Sequence, residues 1–144
     1  VAFSVFGQPQ HFAAADAPPG RYSLTSTLVT DTVTGLVWLR IDSVDDFPSG
    51  ISLESAKQYC GGMPGGWRVP SVSELETIVD SSRRDPAIDT TAFPNAAPTL
   101  YWTSTLGKDS PDFAWQVAFD TGSASLYRAT ATSWSGPIRV RCVR

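Results

Sequence analysis

Apolar side chains recur at every second position along three stretches of this chain, and at helical spacing along two. Tyr22, Leu24 and Leu28 are separated by Ser and Thr, the pattern of a half-buried strand. Asp31-Thr-Val-Thr-Gly35 supplies turn residues before Leu36-Val-Trp-Leu-Arg40, so these two runs are expected to pair as a hairpin. Phe113, Trp115, Val117 and Phe119 alternate towards one face, and Asp120-Thr-Gly122 turns the chain into a further strand over Ser123 to Arg128. Leu100 to Thr105 also reads as a strand. So does Ile138 to Val143, with Ile138, Val140 and Cys142 facing one way and Arg139 and Arg141 the other. Ser52 is placed to cap a helix whose Leu53, Ala56 and Cys60 share a face and which Gly61-Gly62 ends. Ser71-Val-Ser-Glu74 has capping-box spacing ahead of Leu75, Ile78 and Val79, predicting a second helix from Ser71 to Ser81. The order ββ-αα-ββββ specifies an α+β domain.

Punctuation divides the rest. Residues 1–20 read as an N-terminal extension or linker, because Pro9, Pro18, Pro19 and an alanine run interrupt them, and the compact domain is expected over 21–144. Val1 to Phe6 is apolar but short, with no basic residue before it, so it is not read as an intact signal peptide; valine in first place is read as the start of either a processed chain or an excised piece of one. Asp42 to Gly50 forms an acidic loop and Asp85 to Pro98 a long irregular segment with three prolines.

The chain has 144 residues, the size of one ordinary domain. With 42% hydrophobic and 17% charged residues it is neither disordered nor a polyelectrolyte. No apolar run approaches the roughly 20 residues of a membrane span, and a net charge of −3 argues against nucleic acid as a partner. A single histidine and two cysteines are too few for a His-rich zinc site, a Cys₄ site or an iron–sulfur cluster. His11 would have to serve any triad alone, from an irregular stretch. If Cys60 and Cys142 pair, they close a loop of about 80 residues, worth about 4–5 kcal/mol, and place the protein outside the reducing cytosol. Two buried thiols in a cytosolic protein are the alternative.

Six motifs occur in order: Asp31-Thr-Val-Thr-Gly-Leu-Val-Trp38, Ser55-Ala-Lys-Gln-Tyr-Cys60, Gly66-Trp-Arg-Val-Pro70 with Glu74-Leu75, Tyr101-Trp-Thr-Ser-Thr105, and Arg139-Val-Arg-Cys-Val-Arg144. Together they resemble the C-terminal domain family of the Legionella collagen-like adhesin, over about Arg21 to Arg144. The resemblance implies a C-type-lectin-like fold, with two short helices flanking a twisted antiparallel sheet, distantly related to the formylglycine-generating enzyme. It also implies a Cys60–Cys142 bridge from first helix to last strand. The implied location is bacterial and exported, extracellular or at the cell surface, with the periplasm as the alternative. The adhesin that names the family is trimeric and binds sulfated polysaccharides, which implies anionic glycans; the net acidic charge of this chain runs against a strong polysulfate site. Calcium-dependent lectins use a Glu-Pro-Asn or Gln-Pro-Asp motif with a Trp-Asn-Asp motif. Here Phe93-Pro-Asn95 lacks the carboxylate and no Trp-Asn-Asp occurs, so no cofactor is expected. Asp80, Asp85, Asp89, Asp109 and Asp112 are the carboxylates dense enough to consider for calcium, in a spacing that matches no known loop. A formylglycine-type reaction needs reactive cysteines, and a structural bridge leaves none.

The candidate ligand contacts follow. Trp134 stands on an aperiodic Ser/Thr/Gly loop, Ala129 to Pro137, where a large aromatic is a platform for binding. Arg128, Arg139, Arg141 and Arg144 form a basic C-terminal group that meets an anion or else is balanced by Asp120 or the Asp42/Asp45/Asp46 loop. Asn95 and Tyr101 are taken from a second loop, Pro94 to Tyr101. Trp38, Trp67, Trp102 and Trp115 are assigned to the core, and Arg68 to a carboxylate or to carbonyls. The reading is a non-enzymatic surface or secreted module that binds a glycan or a protein. The alternative is a structural subunit of a homo-oligomeric or fibrous assembly, and an enzyme comes third. Val1 to Phe6 would link copies by adding to a neighbour's sheet edge, unless Phe3, Phe6 and Phe12 pack on their own domain.

Overall fold

Residues 20–144 are described by the structure, a computed structural model. His11, the run Val1 to Phe6, and Phe12 lie outside those residues. The described chain runs β1 (Tyr22–Leu24), β2 (Leu28–Asp31), β3 (Val37–Leu39), α1 (Leu53–Gly61), α2 (Val72–Glu76), β4 (Leu100–Gly107), β5 (Ser110–Ala118) and β6 (Ser123–Arg128). It is α+β, but the strands form two antiparallel three-stranded sheets, β1-β2-β3 and β4-β5-β6, rather than one. The expected first strand breaks in two. Thr25 Oγ1 accepts from the amides of Thr27 and Leu28, and Thr25 N donates to Leu28 O, so the chain reverses there and a hairpin becomes a meander.

Both helix starts are fixed by serine. Ser52 Oγ accepts from Ser55 N, and Ser71 with Glu74 completes a reciprocal capping box. The second helix is shorter than expected, ending at Glu76 instead of Ser81. Thr77, Ile78 and Val79 donate to carbonyls three residues back, and Thr77 Oγ1 also donates to Glu74 O (2.6 Å). The last turns therefore tighten, and Asp80 N leaves for Ala87 O.

The expected strand Ile138 to Val143 is absent, because its backbone partners change almost residue by residue. Arg139 bonds Leu100 and Trp102, Val140 bonds Ser43, Cys142 bonds Leu39, Val143 bonds Arg68, and Arg144 bonds Val37. No ladder forms, yet the segment joins both sheets. It is buried on both sides: Ile138, Val140, Arg141, Cys142 and Val143 are all at most 1% exposed.

The β4–β6 sheet sits in the middle of the core. On one face Leu100, Trp102, Ala114 and Ala118 pack with Leu53, Ala56 and Cys60 of α1, and with Trp67. On the other, Tyr101 and Val117 pack with Leu75 of α2 and with Trp38 and Val29 of the first sheet. Burial on both faces is why the strict alternation expected of β5 does not hold over Gln116–Phe119. A disulfide joins Cys60 at the end of α1 to Cys142. At the domain's entry, Arg21 forms a buried two-pronged pair with Asp31, Nε to Oδ1 at 2.9 Å and Nη2 to Oδ2 at 2.7 Å. Among the described residues no helix is long and apolar enough to cross a membrane.

Candidate functional site

Two predicted ligand loops meet. Thr99 Oγ1 donates to Pro137 O (3.0 Å) and Arg139 Nη1 to Asn95 O (2.8 Å), so Pro94 to Tyr101 lies beside Ala129 to Pro137. The second loop is tight. Ser133 and Pro137 form an isolated bridge, Trp134 N donates to Gly136 O, and Ser135 has φ 39°, a left-handed conformation serine seldom takes. From behind, the loop is braced by residues 50–51: Ile51 N donates to Ile138 O, and Gly50 lies directly against Thr132 O. This closed, braced turn leaves Trp134 44% exposed. No charged side chain occurs from Ala129 to Pro137.

Four other nominated residues also converge, but inwards. Asp42 is buried and caps the short 3₁₀ turn Ser43–Asp45, its Oδ1 accepting from Val44 N (3.0 Å) and Asn95 Nδ2 (3.1 Å). Its Oδ2 accepts from the Tyr101 hydroxyl and from Arg139 Nη1 (3.0 Å), with Arg141 Nη2 3.7 Å away. Arg141 Nη1 donates to Leu39 O and Arg40 O, and its guanidinium lies 4.7 Å from the Phe93 ring centre. Burial pushes the Tyr101 hydroxyl up to about 12, with Arg141 pulling it down and Asp42 adding to the rise. Burial works to lower Arg139, but Tyr101 and Asp42 outweigh it and its pKa is raised. Ligand contact requires exposure. Tyr101 and Arg141 are 1% exposed, so the basic face expected on the last segment is instead an internal ion cluster. Asn95 and Arg139 are partly exposed and committed to the same carboxylate.

The remaining arginines lie elsewhere. Arg128 is exposed with its guanidinium 5.0 Å from the Phe113 ring centre. Arg144 lies 4.4 Å from the ring centre of the buried Trp67 and donates to Gly65 O. Arg68 holds Glu74 through two bonds of 2.7 and 2.8 Å. Asp80 accepts from Ser82 and Arg83, and Asp89 from the amides of Thr91 and Ala92, so both serve local turns. Among the described residues no three His, Cys, Asp or Glu side chains are grouped to hold a metal ion.

The sequence reading passed over two surface features. An acidic cleft of about 340 Å³ opens beside Asp42, between Ile41, Asp45, Asp46 and Tyr59. Tyr59 donates to Asp46 there (2.9 Å), and burial first, then Asp46, pushes its hydroxyl up to about 12. Two smaller clefts of about 270 and 280 Å³ run along α1 and share Lys57, the first reaching Trp67, Arg68 and Ser104, the second Leu106 and Thr130. Lys57 lies within the Ser55–Cys60 motif, which gives it no role of its own. Its significance comes only from the cleft walls that the fold assembles.

A family model described as the Lcl C-terminal domain matches residues 27–144. No curated protein matches the chain.

Proposed function

Because the chain belongs to the Lcl C-terminal domain family, we propose that it is a non-enzymatic, exported bacterial surface module that holds a glycan or protein ligand on the Trp134 loop. The observation that carries this reading is the 44% exposure of Trp134 on a turn closed by Ser133–Pro137 and braced by Gly50. A large aromatic ring on a pre-ordered loop loses little entropy when it is covered. The non-enzymatic part is supported by the two cysteines, which are spent on each other in a buried disulfide. The same bond supports an oxidising compartment. The internal pairing of Arg139 and Arg141 and the uncharged loop around Trp134 favour a ligand of low charge over a polysulfated one.

A glycan array and a panel of immobilised surface proteins, probed with wild type and Trp134→Ala, test the reading. Wild type is expected to bind at least one member. The variant is expected to lose about tenfold or more in affinity, about 1.4 kcal/mol, at unchanged melting temperature. Binding that ignores the substitution would sink the assignment of the site.

A further inference from the structure

The outer edge of β6 is the longest strand edge without a neighbour among the described residues. The free side of β4 is occupied by Arg139, which bonds Leu100 and Trp102, and by Pro70, whose carbonyl accepts from Ser104 N. β1 is only three residues long. In β6, by contrast, six consecutive residues pair with β5 in unbroken register, from Ser123 opposite Ala118 to Arg128 opposite Phe113.

The pairing fixes which backbone groups point away. Ala129 N donates to Asp112 O, so by the alternation of an antiparallel ladder Tyr127, Ser125 and Ser123 bond inwards to β5. Ala124, Leu126 and Arg128 then turn their amides outwards, and Ala124 and Leu126 their carbonyls; the carbonyl of Arg128 is taken by Ala131 N. Natural edges are usually blunted by proline, lysine, a bulge or an inward charge. β6 has no proline, lysine, bulge or inward charge, and its one charged residue, Arg128, stands at its very end. Beside its outward groups lies an apolar strip: Leu126 is 43% exposed, and Phe113 and Trp115 are half-buried.

We infer that β6 pairs antiparallel with β6 of a second copy about a two-fold axis at Leu126, making one continuous six-stranded sheet. The edge is complementary to itself. Residues with outward groups must meet residues with outward groups, and the register that sets Leu126 against Leu126 also sets Ala124 against Arg128 on both sides. The two leucines then cover each other, and the apolar strips of both copies become one. The two Arg128 side chains stand at opposite ends of the ribbon, each across from a small alanine and towards the Asp120 end of the other copy. Like charges are never opposed. The contact is isologous, so it closes at two chains. It goes beyond the ligand reading and leaves Trp134 untouched, so either idea can fail without the other.

Sedimentation equilibrium of the 144-residue chain, from about 1 µM to about 1 mM, tests it. The expected result is an apparent mass rising from one chain to two. Leu126→Lys places two like charges on the axis, and Leu126→Pro removes an outward amide without touching the β5 ladder. Both are expected to weaken association at least tenfold, while Trp134→Ala leaves it unchanged. Leu126→Cys is expected to give a covalent dimer on mild oxidation, since directly opposed Cα atoms in a hydrogen-bonded pair lie about 5.5 Å apart, within disulfide reach. A wild type that stays monomeric overturns the inference. So does an assembly that survives both Leu126→Lys and Leu126→Pro, or a Leu126→Cys chain that fails to cross-link.

Discussion

Arginine outnumbers lysine nine to two in this chain, and the planar fork of the guanidinium explains where most of the arginines lie. Arg21 grips Asp31 with two bonds, Arg68 grips Glu74, and Arg40 spans the carbonyls of Thr25, Thr91 and Ala92. Arg139 and Arg141 share Asp42. These cations serve the fold before they serve a partner. The Arg68–Glu74 pair gives a pH test. The Arg68 hydrogen bonds first, against burial, and then the Ser71 cap hold the Glu74 carboxyl down at about 2. Its folded pKa lies below the ordinary 4.5, so the stability it contributes is full above pH 4.5 and is lost as pH falls from 4.5 towards about 2. Arg68→Ala is expected to raise the Glu74 midpoint in an NMR titration and to flatten the acid loss of melting temperature across that window. An unmoved midpoint would assign the depression to the Ser71 cap alone. For Arg68 the sequence left a carboxylate and carbonyls both open, and Glu74, six residues away on a capped helix, is the one it takes. That Asp42 takes Arg139 was legible only as one of two open choices, because the partner is 97 residues distant and alternation alone cannot tell solvent from a buried acid.

At the level of elements, starts were easier to read than stops. A helix start is a local matter of one side-chain oxygen and one amide, and Ser52 and Ser71 occupy those places. The stop of α2 at Glu76 depends on Thr77 competing for Glu74 O and on Ala87 drawing Asp80 away, and the second of these is not local. The last segment shows the same limit more strongly. Its pattern is that of a strand, but a strand needs one neighbour and this segment divides its bonds among β4, Ser43, β3 and Arg68. The binding loop is likewise held by an element distant in sequence. Gly50 has φ 98°, and a Cβ there would lie 1.8 Å from Thr132 O. Gly50→Ala is therefore expected to cost at least about 2 kcal/mol in urea unfolding, through left-handed strain and displacement of the neighbouring backbone. It is also expected to shift the fluorescence of Trp134 as its loop moves. A variant as stable as wild type, with an unchanged emission spectrum, would show that the brace is dispensable.

For the molecule as a whole, the Cys60–Cys142 bond spans a sequence separation of 82. Closing a loop of that length is worth about 4–5 kcal/mol in the chain-entropy account, about a quarter or more of the stability of an ordinary domain. The double variant Cys60→Ala/Cys142→Ala is expected to lose about that much in denaturant unfolding, with the midpoint shifted and the slope nearly kept. A loss under about 1 kcal/mol would mean that the unfolded chain is already constrained by other means. The bond also locks the segment from Ile138 to Arg144, which hydrogen-bonds to β3, Ser43, Arg68 and β4 in turn. In a cell this segment is the last part of the described chain to be made. Translation adds about 5–20 residues per second, so Leu39, Ser43 and Arg68 wait seconds for partners that have not yet emerged. The hydrogen bonds that the last segment makes to both sheets are unmade in that interval. Cys60 likewise stays a thiol until Cys142 has emerged, so the bond that spans the domain is necessarily among the last to form.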